Sequence, residues 1–503
     1  MLKKFCQSIG LASVVFVANY GDLLGGGDNI RMHEPFPLRS MIAAQIADIF
    51  ILGLLIFLIL IALQHTRFYG RLKLLIAIVV PPYLLYCTQG VPLFVARPAL
   101  LLVLAAVSAG FLLFLRKKFP RWYANILRIG DAAGIFTAVF AALSICQLLL
   151  IAHWKPGPQQ LTAAWASSPQ PPRDHPLLVW IVFDELSHDQ LFDHRAPGLH
   201  LPTFDALRSQ STLFTNVQPV SYKTVEVIPS LLTGHPVDDF RYRFDNTFLV
   251  HNAGQHGWHK ITGAQSVFYD ARQNGWRTAV VGWYNPYCAI YGDAIDQCYW
   301  RNLDSVGGVP GRRESFWRMT YSPFPQLVKE IAAPKHVIQE ACDAGVVEHR
   351  NTHIDLQQHA VQLLKTDQAD FIFLHLAIPH SPSIWNRAAN RYADTCGSSY
   401  IDNLALTDRA LGDLLQILHA SPRWKDTTLI VEGDHSWRVK LWNSAPSWTA
   451  EDEAASHSVF DPRPALLVHQ AGQTQPQTNS TAWPLVQIHD VVEEVVNGQP
   501  VHF

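Results

Sequence analysis

Apolar residues follow two different rhythms along the chain, and the change comes near residue 154. Before it, apolar runs cover 5–21, 41–64, 74–96, 98–115 and 132–154, broken by a single charge, Asp48 in the second. Each is about long enough to cross a ~30 Å hydrocarbon core as a helix, so the pattern predicts a bundle of five transmembrane helices. The first run is diluted by Gln7, Ser8 and Asn19, and Lys3-Lys4 ahead of it also fits a signal peptide. No small-x-small cleavage site follows clearly, so a retained helix is expected. Pro81-Pro82 predicts a kink in the third.

Beyond 154 the rhythm shortens. Residues 177–183 are apolar up to Asp184-Glu185, 278–283 and 370–376 have the same character, and 427–431 leads into Glu432-Gly-Asp434-His435. Helical patterns at 204–210, 268–274 and 400–419 alternate with them. Buried strands alternating with helices predict an α/β domain with a central, largely parallel sheet. In such sheets the residues just past the carboxyl ends of the strands line the ligand crevice. Asp184, Glu185, His380, Asp434 and His435 hold those positions. The Pro- and Ser-rich stretch between the two halves reads as an extended tether, which divides the chain into 1–153, a linker at 154–175, and 176–503.

Charge sharpens this division. The 503 residues carry a net charge of −2, but residues 1–153 sum to +8 and residues 154–503 to −10. That split excludes a purely soluble enzyme, a disordered chain and a nucleic-acid binder working through a basic surface. Basic residues gather at Lys3-Lys4, at Arg67, Arg71 and Lys73, and from Arg116 to Arg128, so these segments should be cytoplasmic. Five crossings then place the second half on the outer side. Asp48, near the outer end of its span, reads as an interfacial residue. Cys6, Cys87 and Cys146 lie in spans, whereas the outer half holds an even set, Cys288, Cys298, Cys342 and Cys396, as an oxidising compartment favours. Proximity favours Cys288–Cys298 and Cys342–Cys396 among three connectivities. No C-x₂-C pair suggests zinc at these cysteines.

The chemistry collects at the strand ends. Asp434-His435 offers a hard oxygen and a borderline nitrogen, a pairing that suits Zn²⁺ or Mn²⁺. Asp184-Glu185 brings carboxylates to the same rim from a second strand, and His380 brings a donor for an anionic group from a third. The remaining requirement is a nucleophile, for which the segment Ser221-Tyr-Lys-Thr-Val-Glu-Val-Ile-Pro-Ser-Leu-Leu-Thr-Gly234 is the candidate.

That segment resembles the nucleophile region of the alkaline phosphatase and sulfatase superfamily. Further landmarks stand in the family's order: Leu201-Pro-Thr-Phe-Asp-Ala-Leu, Phe214-Thr-Asn216, Asn274-Gly-Trp-Arg-Thr-Ala-Val-Val-Gly282, Pro379-His-Ser-Pro382, Tyr400-Ile-Asp-Asn-Leu and Gly433-Asp-His435. The resemblance covers residues 176–495 and implies an alkaline-phosphatase-like α/β/α domain. Sulfatases place a modified Cys or Ser where this chain has Thr224, and their Pro or Ala and their Arg fall at Glu226 and Ile228, so formylglycine chemistry is excluded by residue type. Thr224 instead resembles the nucleophile of membrane phosphoethanolamine and phosphoglycerol transferases, which are similar in having five N-terminal spans.

The resemblance implies a covalent intermediate on Thr224 and a divalent metal, zinc first with Mn, Mg or Ca as alternatives, held by Asp184, Asp434, His435 and Thr224. Glu185 stays open, because sulfatases use both members of an acidic pair whereas the transferases show one Glu near this point. Lys223, His380 and His457 are the implied phosphate-binding groups; His457 reads equally well as a surface histidine in an acidic loop. The implied enzyme sits in the cytoplasmic (inner) membrane with its catalytic domain on the outer, periplasmic face. It takes a head group from a phospholipid of the lipid bilayer to an envelope glycan or lipid, without nucleic acid. The alternatives are a hydrolase of phosphate or phosphonate esters and a non-catalytic envelope scaffold.

Overall fold

The structure is a computed structural model that describes residues 1–24, 38–88, 98–153, 175–243, 247–301, 315–325, 334–456 and 460–503. All of the expected linker but its last residue, and the whole of His457, lie outside these. The chain packs as two compact units: Met1–Ile30, Pro35–Lys155 and Asp304–Ile338 form one, and Arg31–Glu34, Pro156–Leu303 and Gln339–Phe503 the other. Residues 304–338, read from sequence as part of the outer domain, thus group with the helices.

In the first unit, helices form where the apolar runs predict them: α1 (Leu2–Leu24), α2 (Leu38–Leu63), α3 (Arg67–Thr88), α4 (Pro98–Lys118) and α5 (Pro120–Ala152). Among the described residues only two stretches, Arg39–Leu63 and Pro120–Ala152, are long and apolar enough to cross a membrane. Five were expected; the other three runs fall partly, at 17–21, 80–96 and 98–102, on residues whose side chains lie outside the description, so the structure bears out two.

The basic connections do gather. Lys4 Nζ donates to Gln64 Oε1 at 2.5 Å and lies over the Tyr69 ring, which also receives Lys73, itself paired with Asp131 at 2.5 Å. Leu54, Leu58, Val107, Phe136, Leu143 and Leu150 point outward, an apolar exterior that water does not favour. Asp48 is buried among the helices, with Oδ1 lacking a hydrogen-bond partner among the described residues. The short helix Phe316–Tyr321 packs on α2, and Phe324 meets Phe16 edge-on at 5.7 Å.

The second unit is built on an eight-stranded sheet. Its strands are β1 (Leu177–Asp184), β2 (Thr212–Phe214), β3 (Thr278–Trp283), β4 (Gln297–Arg301), β5 (Phe371–Pro379), β6 (Thr427–Gly433), β7 (Leu466–His469) and β8 (Gln477–Asn479). The order across the sheet is β8-β2-β7-β6-β1-β5-β3-β4. β7 alone runs against the rest, so the central β6-β1-β5-β3 block is parallel. Every residue of β1, β3, β5 and β6 is buried, which is why these strands read as unbroken apolar runs.

Helix α6 (Thr224–Thr233) belongs to this unit, as does α7 (Tyr400–Ala420), which opens on a Ser399–Asp402 capping box and packs against β5. Disulfides join Cys288 to Cys298 and Cys342 to Cys396. At the amino ends of the strands Asp370 is gripped by Arg277, through Nε at 2.9 Å and Nη2 at 3.0 Å, and by Arg423 Nη2 at 3.0 Å.

Candidate active site and metal centre

Parallel pairing brings the carboxyl ends of β6, β1, β5 and β3 side by side, and each delivers polar side chains past its last apolar residue. Asp184 ends β1, Asp434-His435 follows β6, His380 follows β5, and Tyr284-Asn285 follows β3. The β6 end comes so close to β1 that a Cβ on Gly433 would lie 2.5 Å from the Leu186 carbonyl oxygen. A side chain there would push Asp434 away from Asp184. Thr224 enters the same space as the first residue of α6, where the unpaired N–H groups and the helix dipole favour negative charge.

Thr224 Oγ1 lies 3.4 Å from Asp184 Oδ2 and 3.5 Å from His435 Nε2. His435 Nε2 is 3.3 Å from Asp434 Oδ2 and 3.7 Å from Asp184 Oδ1. The His435 Nδ1 sits 3.1 Å from the Ser436 carbonyl; donating a proton there leaves the Nε2 lone pair facing the carboxylates. Asp434 Oδ1 is fixed by the N–H groups of Glu185 and His435, at 3.0 and 2.8 Å. Its Oδ2 and Asp184 Oδ1 are buried without a hydrogen-bond partner among the described residues.

Burial, then the charge of Asp434, pushes the Asp184 carboxyl well above the usual carboxylate range, against the opposing pull of Arg438. Two buried carboxylates with unused oxygens beside an imidazole are costly unless a cation joins them. Asp184, Asp434 and His435 have ligand atoms within 4.8 Å of one another. The donor set therefore fits a divalent metal of the kind that takes oxygen and imidazole ligands.

Glu185 does not join this group. It is fully buried with φ at 67°, a left-handed conformation that costs a non-glycine residue about 1–3 kcal/mol, and its side chain turns away from Asp184. The carboxylate accepts from Arg438 Nε and from Trp442 Nε1 at 2.9 Å, while its carbonyl accepts the Tyr400 hydroxyl at 2.6 Å. The His380 ring is enclosed by Trp283, Trp442 and His349, and the Asn403 side chain holds its carbonyl at 3.1 Å. Burial, then the nearby charge of Arg438, pulls His380 well below its usual value, which favours the uncharged ring. Lys223 stands at the margin, 68% exposed, with its ammonium 2.6 Å from Glu226 Oε1.

Four residues of the site were not singled out in the sequence. Asn285 donates from Nδ2 to the Thr224 carbonyl at 3.4 Å, and its Oδ1 is buried without a partner among the described residues. Tyr284, at φ 64°, has its hydroxyl pushed up to about 12 by burial and by Asp184. His375 places Nε2 4.0 Å from Asp184 Oδ2 and Nδ1 2.7 Å from the Tyr287 hydroxyl, and burial pulls its pKa down to about 4. Arg438 is the fourth. The strand-end rule that found His380 applies equally to Tyr284-Asn285. His375 gave no such signal, being set inside an apolar run.

Three solved structures show the level of similarity. Ps i-CgsB, solved in complex with k-i-k-neocarrahexaose, is 14% identical with a TM-score of 0.43, over 65% of this chain and 73% of that one. The phosphonate monoester hydrolase of Agrobacterium radiobacter is 14% identical with a TM-score of 0.41, over 64% and 74%. The lipoteichoic acid synthase LtaP from Listeria monocytogenes is 15% identical with a TM-score of 0.40, over 65% and 72%. No curated protein matches the chain. The Sulfatase family model matches residues 176–494, which takes in the whole sheet and every residue of the site. On that match the chain belongs to the sulfatase family, within the alkaline phosphatase superfamily of enzymes.

Proposed function

We propose that the chain is a metal-dependent transferase that moves a phosphorus-containing head group, of the phosphoethanolamine or phosphoglycerol type, from a phospholipid to an envelope glycan or lipid. The observation that carries this reading is the position of the Thr224 hydroxyl. It stands at a helix N-terminus, 3.4 Å from Asp184 Oδ2 and 3.5 Å from His435 Nε2. A threonine cannot become formylglycine, so the nucleophile is the hydroxyl itself. A divalent cation held by Asp184, Asp434 and His435, zinc first with Mn, Mg or Ca as alternatives, would lower the pKa of that hydroxyl and offset charge on phosphoryl oxygens.

The residues supply the rest. Thr224 Oγ1 attacks phosphorus and a P–O bond to the lipid glycerol breaks, leaving a phosphothreonine diester and a diacylglycerol whose oxygen takes up a proton. An acceptor hydroxyl then attacks the same phosphorus, and Thr224 regains its proton. The N–H groups opening α6 favour the anionic phosphoryl group, and Asn285 fixes the backbone of Thr224. His380, being neutral, contributes a hydrogen bond. The apolar exterior of the helical unit and the Cys288–Cys298 and Cys342–Cys396 disulfides support an inner-membrane protein whose catalytic unit faces an oxidising, periplasmic compartment.

The test is intact mass spectrometry of the full-length, metal-loaded protein in bilayers of phosphatidylethanolamine or phosphatidylglycerol. A head-group adduct on Thr224, absent in Thr224→Ala, is expected. Head-group release to water with no acceptor modified would make the enzyme a hydrolase, and neither adduct nor release from any donor would end the catalytic reading.

A further inference from the structure

Arg438 is held in an unusual way. Its Nε pairs with the fully buried carboxylate of Glu185, Nη1 donates to the Tyr222 carbonyl at 3.3 Å, and no described residue bonds Nη2. The guanidinium is thus gripped from the residue after Asp184 on one side and from two residues before Thr224 on the other. Its charge acts on Asp184, His380 and Tyr284, which come from three different strand ends. The guanidinium stays 20% exposed, with Nη2 free of protein partners among the described residues, while the backbone of Glu185, which holds its Nε, is left-handed.

The other cations near Thr224 are differently placed. Lys223 is tied to Glu226 and lies out in solvent, and His380 is neutral. A bound divalent cation would be matched by Asp184 and Asp434. Arg438 is therefore the permanent cation best placed, among the described residues, to meet an incoming phosphoryl anion, and a guanidinium suits its oxygens better than an ammonium does.

Resting on the active site proposed above, we infer that Arg438 binds a non-bridging oxygen of the substrate phosphoryl group through Nη2, and that Glu185 is its positioning residue. This gives the site a preference for oxyanion esters that present such an oxygen on the Glu185 side.

The test measures inorganic phosphate binding to the metal-loaded full chain by calorimetry, alongside metal content and melting temperature. Arg438→Met should weaken phosphate binding on the order of tenfold to a hundredfold with metal content unchanged. Arg438→Lys, which keeps the charge and the pairing with Glu185 if the methionine variant does not fold, should still lose several-fold. Glu185→Gln should weaken binding in the same direction, and for the phosphodiester bis-p-nitrophenyl phosphate it should raise KM more than it lowers kcat. Unchanged phosphate affinity in the arginine variants, with only the melting temperature moved, would overturn the inference and leave the active site standing. A wild-type protein that binds metal but no phosphate would overturn both.

Discussion

The two ends of the sheet treat a buried aspartate in opposite ways. At the amino ends Asp370 is saturated: Arg277 and Arg423 fill both of its oxygens. Burial pushes its pKa up, but the hydrogen bonds and charges of Arg277 and Arg423 more than offset this, and the net displacement is downward. At the carboxyl ends Asp184 and Asp434 each keep an oxygen without a partner among the described residues, and the Asp184 carboxyl is pushed upward by burial and by its neighbour. The first end is paired within the protein, whereas the second gathers carboxylate oxygens suited to a cation. A buried carboxylate is thus informative through what it lacks.

The largest effect should separate the two ends in opposite directions. Asp434→Asn should lower turnover by at least about a thousandfold while leaving the chelator-treated protein as stable as the parent or more so, because it removes a charge that repels Asp184. Asp370→Asn should retain turnover in the folded fraction but cost about 3 kcal/mol. Turnover assays paired with denaturant melts would show both, and a chelator-treated Asp434→Asn protein clearly less stable than its parent would break the comparison.

Next comes metal. Adding zinc to chelated protein at about a thousand times Kd should stabilise it by about 4 kcal/mol. Asp370→Asn should keep that increment and Asp434→Asn should lose it, as thermal shift would report.

The pH dependence is smaller. Because the folded pKa of Asp370 is depressed, its contribution is fully present above the unfolded value of about 3.9 and disappears as pH falls through the folded value. Asp370→Asn should therefore flatten the acid limb below about pH 4. An acid limb unchanged in that variant would assign the acid loss to other groups. Smallest of all, Lys223→Met removes a largely exposed partner and should change stability by less than about 1 kcal/mol, measurable as a near-identical denaturant midpoint.

The strand ends were legible because burial on both faces writes β1, β5 and β6 as apolar runs with abrupt polar stops. The Asp184, Asp434 and His435 group was legible in those stops, whereas Thr224 was singled out only by the family resemblance that the Pro-Ser-Leu-Leu-Thr-Gly segment carries. Adjacent residues, however, can diverge: nothing in Asp184-Glu185 says that the second adopts a positive φ and turns to Arg438. Arg438 itself follows His435 by three residues in a loop without periodicity, so its partners are set by the fold alone. In the helical unit the run lengths located all five helices, and two of them stand as candidate spans among the described residues. The grouping of 304–338 with those helices was invisible, since it depends on Phe324 and Met319 finding partners far back in the chain.

That last feature bears on how the protein can be divided. Because Asp304–Ile338 belongs to the helical unit, the polypeptide passes between the units there and back again after the first linker. A protease that cuts between 156 and 174 leaves the halves covalently joined by these later passages. A fragment starting at residue 176 carries Met319 and Thr320, buried in the whole chain, without the helix they pack on. A soluble catalytic fragment should therefore replace 304–338 with a short polar loop, and its yield against that of the simple truncation is the first thing to compare.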